Sequence, residues 1–198
     1  MQVPASLTLG MLAGGQATRL GGRDKAWLVR DGVAQVVRLA RQFAPHCTEV
    51  LVSANRNLSR YAEHGLHARG DRIARIGPMG GLDVLANTCT SAWLLTVSVD
   101  VLQLPDTLLP RLAQAGGEGA VSCDDDGLQP LVALYRVDAL RPVLAAALAA
   151  QQHSVRQMQA VLGLPHVRFS GVHFGNLNTP EDLRQAGCSD ADSAAHGG

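Results

Sequence analysis

Leu7-Thr8-Leu9-Gly10-Met11-Leu12-Ala13-Gly14-Gly15-Gln16-Ala17-Thr18-Arg19-Leu20-Gly21-Gly22-Arg23-Asp24-Lys25 is the stretch on which the reading of the chain turns. Residues 7–13 are an apolar run of strand length. The run ends in paired glycines, where a backbone without side-chain bulk turns sharply. Arg19, Arg23 and Lys25 follow within a few residues of those bare N–H groups. Amides with no Cβ in the way, flanked by guanidinium and ammonium groups, suit a polyanion such as a phosphate chain. The spacing excludes two other phosphate loops. Lys25 lies between Asp24 and Ala26, so there is no Gly-x-x-x-x-Gly-Lys-Ser/Thr, and no Gly-x-Gly-x-x-Gly follows the strand.

The 198 residues suffice for one domain, and 46% of them are hydrophobic, enough for a core without disulfides. Formal net charge is zero, which argues against a nucleic-acid or anionic-membrane footprint, so any anion site is local. Cys47, Cys89, Cys123 and Cys188 lack Cys-x-x-Cys spacing and zinc-ligand partners, and read as idle thiols of a reducing compartment. No signal-peptide pattern and no apolar run of membrane-spanning length is present, so the expected location is cytoplasmic.

Outward from the first loop, strands and helices alternate. Val33, Val36, Val37 and Ala40 recur at helical spacing up to about Ala44. Residues 49–54 read as a second strand ending at Asn55, and 58–64 as a short polar helix. Residues 66–76 read as irregular. Gly77-Pro78-Met79-Gly80-Gly81 reads as a second glycine turn before a helix through Leu82 and Leu85. Residues 92–99 are almost continuously apolar, the mark of a central strand covered on both faces, and they end at Asp100. A helix over 106–115, a hairpin joining 119–123 to 128–135 through a solvated Asp124-Asp125-Asp126-Gly127 turn, and helices over 139–150 and around Met158 follow. Residues 167–169 and 172–174 read as short strands. Thr179, Pro180 and Asp182 start a last helix, and 188–198 reads as a flexible tail after a single domain over 1–187. The alternation predicts an α/β protein with a mainly parallel central sheet, whose ligand lies at the strand carboxyl ends. Gly14, Asn55 and Asp100 are therefore expected on one rim.

Asp100 closes the most buried strand, where a carboxylate needs compensation. A Mg²⁺ ion shared with phosphate oxygens supplies it, since Mg²⁺ uses one or two carboxylates plus phosphates and water. Lys25 and Arg19 place charge on the phosphate chain. Asn55 and Asp71 are candidates for ribose or base contacts. No His-x-x-x-His pair supports a zinc hydrolase, and Ser98 lacks a Gly-x-Ser-x-Gly elbow. This set of residues suits nucleotidyl transfer, with the metal neutralising charge on a leaving pyrophosphate. A phosphate-monoester acceptor is largely ionised at neutral pH and needs no general base.

At these residues the chain resembles the molybdenum cofactor guanylyltransferase family, a branch of the nucleotidyltransferases. The likeness rests on Leu12-Ala13-Gly14-Gly15 with Arg19, Gly21-Gly22, Asp24 and Lys25; on Ser53-Ala54-Asn55-Arg56; on Gly77-Pro78-Met79-Gly80-Gly81; on Asp100; on Gln129-Pro130-Leu131; and on Asn176-Leu177-Asn178-Thr179-Pro180. It implies a Rossmann-like three-layer α/β/α fold and transfer of GMP from GTP to molybdenum-molybdopterin, releasing pyrophosphate. Leu12, Ala13, Gly14, Gly15, Asn55, Asp71, Gly77, Pro78 and Gly81 would line the nucleotide, Lys25 would hold phosphates, and Asp100 would bind Mg²⁺. Catalysis would fall to Lys25, Asp100 and Arg19. Asn176 and Asn178 would lie towards the pterin. Gly15 stands where cytidylyltransferase relatives carry alanine, and the missing methyl favours GTP over CTP. Implied partners are GTP and molybdenum-molybdopterin, with transient contacts to molybdate-insertion and molybdoenzyme-maturation proteins; a monomer or weak oligomer is expected. The rivals are a CTP-dependent molybdopterin or sugar-phosphate nucleotidyltransferase, and a non-catalytic GTP-binding partner in cofactor delivery. One departure stands out. The family places a proline two residues after this aspartate, whereas here Val101-Leu102-Gln103-Leu104 intervenes before Pro105, which predicts a looser loop around Asp100.

Overall fold

The computed structural model describes residues 3–14, 24–73 and 75–190. The apolar run becomes β1 (Leu7–Leu12), buried at every position. Its side chains alternate across the sheet as a two-residue period requires. Leu7, Leu9 and Met11 enter one core and Leu12 the other. A short 3₁₀ turn, Lys25–Trp27, leads into β2 (Leu28–Arg30) and β3 (Val33–Ala34). Then come α1 (Gln35–Phe43), β4 (Glu49–Ser53), α2 (Leu58–Glu63), β5 (His67–Arg69), α3 (Pro78–Thr88) and β6 (Trp93–Ser98). The second half holds α4 (Leu108–Gln114), β7 (Gly119–Asp124), β8 (Gly127–Arg136), α5 (Val137–Ala149), α6 (Val155–Val161), β9 (His166–Arg168), α7 (Pro180–Gln185) and β10 (Ser189–Asp190).

Seven strands form the main sheet in the order β5-β4-β1-β6-β8-β7-β9. Only β8 runs against the others, so the sheet is mainly parallel, as the alternation predicts. Helices cover both faces. Side chains of α1, α2 and α4 pack one face around Leu9, Met11, Leu95 and Val97. Those of α3, α5 and α6 pack the other around Leu12, Leu51, Leu94 and Tyr135. The result is a three-layer α/β/α architecture. Among the described residues no helix is long and apolar enough to cross a membrane.

Several local expectations are corrected. Val33 belongs to β3, and the helix starts two residues later. Asp31 and Gly32 both have positive φ, 52° and 73°, the backbone of a two-residue hairpin that folds β3 onto β2. The irregular stretch 66–76 contains β5, an edge strand paired with β4. The second glycine turn is the start of α3: Gly77 is its N-cap, Pro78 occupies the first position, and Gly80 and Gly81 are helical. Residues 172–174 form no strand. The backbone of Phe174 instead accepts from the Leu102 and Gln103 N–H groups, each at 3.0 Å. Asp124 is not a solvated turn residue but fully buried. Its Oδ1 accepts from Asp126 N and Gln129 Nε2, and its Oδ2 accepts from Phe174 N at 2.8 Å. The stretch expected as a tail opens with β10, which pairs with β2 in a second, three-stranded sheet.

Candidate active site

Parallel strands put their carboxyl ends on one edge, and register decides what meets there. Leu12 is paired with Ser53 on one side and Ser98 on the other, and Ser53 with Arg69. One row across the sheet thus ends β5, β4, β1 and β6 together. Ala13 N donates to Ser53 O at 2.8 Å and Ala54 N to Arg69 O at 2.9 Å, carrying the pairing into the loops. Beyond this rim lies an open cleft of about 770 Å³, within the usual range for a small-molecule site. Leu12, Ala13, Gly14, Asn55, Asp71, Gly77, Pro78, Gly81 and Asp100 all line it. Gly15 and Arg19 lie outside the described residues.

One wall is a locked polar cluster. Asn55 Nδ2 donates to Asp71 Oδ2 at 2.9 Å, and Asp71 N donates to Asn55 Oδ1 at 2.8 Å. Ser53 Oγ donates to Asp71 Oδ1 at 3.0 Å. A carboxylate accepts about four hydrogen bonds, so Asp71 is fixed in orientation while keeping lone pairs for a ligand's N–H or O–H groups. The start of α3 presses against this cluster because it carries glycines. A Cβ on Gly80 would stand 3.1 Å from Asp71 Oδ2. One on Gly81 would stand 2.7 Å from Leu12 Cδ2 and 2.8 Å from Ser53 Oγ.

Asp100 lines the other side of the cleft, and Lys25, which is not itself among the lining residues, stands beside it. Lys25 Nζ lies 3.9 Å from Asp100 Oδ2 and donates to Asn178 Oδ1 at 2.6 Å. The Asp100 carboxylate is 30% exposed, so it is open to the cleft and not sealed in the core. The loop after it is pinned despite the displaced proline. Leu177 N donates to Asp100 O at 2.7 Å, Gln35 Nε2 to Val101 O at 2.5 Å, and Leu102 N to Phe174 O at 3.0 Å. Gln35 is buried at the first position of α1, an element that precedes this loop by more than sixty residues. Asn176 does not line the cleft; its backbone bridges Val101. Among the described residues Asn178 meets the site through Lys25.

The cleft also takes in Asp24, Ser53, Arg56, Arg75, Ser98 and Leu131, which the sequence reading does not single out as site residues. Ser53 and Ser98 had a signal: each is the polar last residue of a mainly apolar strand. Leu131 is presented by an irregularity in β8, where pairing jumps from Val121–Ala133 to Ser122–Gln129. Pro130 marks it, since a proline inside a strand signals a bulge. Its carbonyl accepts from Gln159 Nε2 at 2.7 Å. Among the described residues no histidine lines the cleft, and burial pushes the Cys47 thiol up to about 11, far from a nucleophile's range.

A glycine-walled cleft at the carboxyl ends of a mainly parallel sheet, lined by Asp100 with the Lys25 ammonium beside it, defines an α/β protein of the nucleotidyltransferase type. The chain belongs to the MobA-like NTP transferase family, whose model matches residues 10–166. It is 36% identical over 183 residues to a molybdenum cofactor guanylyltransferase of Photobacterium profundum, covering 89% of this chain and 93% of that one. It is 32% identical over 185 residues to a protein of the same description from Cupriavidus necator, covering 88% and 92%. Among solved structures, molybdopterin-guanine dinucleotide biosynthesis protein A of Archaeoglobus fulgidus superposes with a TM-score of 0.66 at 18% identity, covering 90% and 96%. A putative glucose-1-phosphate thymidylyltransferase of Bacillus anthracis superposes with a TM-score of 0.76 at 12% identity, covering 91% and 94%. The second score is the higher, so backbone likeness shows the fold and does not choose a substrate.

Proposed function

We propose that this protein transfers GMP from GTP to molybdenum-molybdopterin, giving molybdopterin guanine dinucleotide and pyrophosphate, and that it acts in the cytoplasm. The observation that carries the reading is the meeting of Lys25 and Asp100 at 3.9 Å on the rim where the glycine loop leaves β1. The relatives that share the chain's length and a third of its residues favour guanylyl transfer over the sugar-phosphate and CTP alternatives.

Asn55 and Asp71 orient the nucleoside, with Asp71 offering acceptors and Gly77, Pro78 and Gly81 leaving room beside it. The bare backbone from Ala13 into the glycine loop, together with Lys25, receives the triphosphate; Arg19 adds a second cation. Asp100 suits a divalent ion that arrives with the nucleotide: it offers one open carboxylate, and the described residues contain no cluster of three or more possible ligands. When bound, Mg²⁺ would supply charge neutralisation on the phosphates and the leaving pyrophosphate. The acceptor's phosphate is the nucleophile and is already ionised, so the chemistry needs no histidine as general base. Positioning and electrostatics are then the main source of rate.

The test is turnover of GTP, CTP and ATP, each with and without molybdenum-molybdopterin. Pyrophosphate release from GTP that depends on the acceptor is expected. Equal or faster release from CTP, or GTP binding without any acceptor-dependent release, would overturn the reading.

A further inference from the structure

The segment 176–178 touches both charged site residues at once. The backbone of Asn176 bridges Val101, Leu177 N holds the Asp100 carbonyl at 2.7 Å, and Asn178 Oδ1 accepts from Lys25 Nζ at 2.6 Å. The segment is itself fixed from three directions. Asp182 Oδ2 accepts from Asn178 N at 2.9 Å and from Thr179 N at 2.7 Å, while Thr179 Oγ1 accepts from Asp182 N, a capping box that starts α7. Leu177 is fully buried in a small apolar cluster with Leu28 and Leu183. Leu28 directly follows the 3₁₀ turn that carries Lys25, and β10 pairs with the same strand, Ser189 opposite Val29.

We infer that Asn178 is a positioning residue for Lys25: its side-chain oxygen aims the ε-ammonium at the phosphates, and it serves the nucleotide half of the reaction rather than the pterin half. The inference rests on the nucleotide site proposed above and changes the role expected for Asn178. The chemistry suits an amide. An ammonium has three donors, and a neutral oxygen occupies one without cancelling the charge. Two donors remain for phosphate oxygens. A carboxylate at the same place would fix the ammonium as well but would neutralise it. The Asp100 carboxylate stays back from Lys25 at 3.9 Å.

The test is GTP affinity of the full chain by titration without acceptor, so that no turnover enters the readout. Lys25→Ala is expected to weaken binding. Asn178→Ala is expected to weaken it about tenfold, the loss of roughly one oriented, charge-assisted hydrogen bond. The double variant is expected to bind no worse than Lys25→Ala alone, because the amide acts only through the ammonium. Asn178→Asp, which preserves size and the bond to Lys25, is expected to weaken GTP binding through neutralisation. Additive losses, or wild-type GTP affinity in either Asn178 variant with a raised KM for molybdenum-molybdopterin, would overturn the inference and return Asn178 to the pterin. Unchanged affinity in Lys25→Ala would instead overturn the nucleotide site itself.

Discussion

Gly81→Ala tests whether the start of α3 is shaped for a ligand or is merely a helix that happens to contain glycine. Taken alone, alanine in place of a helical glycine stabilises by about 1 kcal/mol. At Gly81 the new methyl would lie 2.7 Å from Leu12 Cδ2 and 2.8 Å from Ser53 Oγ. Overpacking of this kind costs about 1–3 kcal/mol. Ser53 can yield only by leaving Asp71, to which it donates at 3.0 Å, and that bond is worth about 1 kcal/mol. The net expectation is a loss of about 2 kcal/mol, which in a chain of this length lowers Tm by about 4–8 °C. Leu12 yields towards the cleft, and Asp71 loses one of its two side-chain tethers, so GTP affinity should fall at least tenfold. Urea unfolding monitored by tryptophan fluorescence reads the first effect, and GTP titration reads the second. A Gly81→Ala protein that is about 1 kcal/mol more stable than wild type and binds GTP equally well would refute the reasoning.

Asp124→Asn should cost about 1–3 kcal/mol, because one amide N–H would confront backbone or Gln129 donors that the carboxylate accepts. Burial works to raise this carboxyl's pKa, but the Gln129 amide and the Phe174, Asp126 and Gly127 N–H groups outweigh it and hold it below its ordinary value. A folded pKa below the unfolded one means that its stabilisation is complete above about pH 5 and drains as pH falls through 4 and below. The variant's unfolding midpoint should therefore lose part of that acid dependence; an acid limb as steep as that of wild type would contradict the assignment. Chelating divalent cations should stop acceptor-dependent turnover, and added Mg²⁺ should restore it, with pyrophosphate release as the readout. Full turnover in excess chelator would remove the metal role given to Asp100.

Much of this architecture is written locally. The continuous apolar runs of β1 and β6 are legible because both faces of those strands are covered, and strand direction then puts Asn55 and Asp100 on one rim. The hairpin at Asp31-Gly32 was equally legible from its dipeptide, but Val33 fits the helical spacing that continues into α1, and the helical period masked the turn. Gly80 and Gly81 read as a turn because helices disfavour glycine; only the neighbours Asp71, Leu12 and Ser53 explain why a helix keeps them. Asp124 looked solvated because its partners, Gln129 and Phe174, come from a strand and a distant loop. Gln35 gave no signal at all, since a buried glutamine holding the Val101 carbonyl is a purely tertiary fact. Lys25, Asp100 and Asn178 were each legible as candidates, but that one ammonium serves both others appears only in three dimensions.

The account stands or falls on Asp100. Pyrophosphate release from GTP in the presence of molybdenum-molybdopterin should drop by at least a hundredfold in Asp100→Ala, while its urea unfolding curve stays near that of wild type, as befits a side chain open to the cleft. Turnover within a fewfold of wild type in that folded variant would contradict the central claim that this carboxylate, with Lys25, governs the triphosphate.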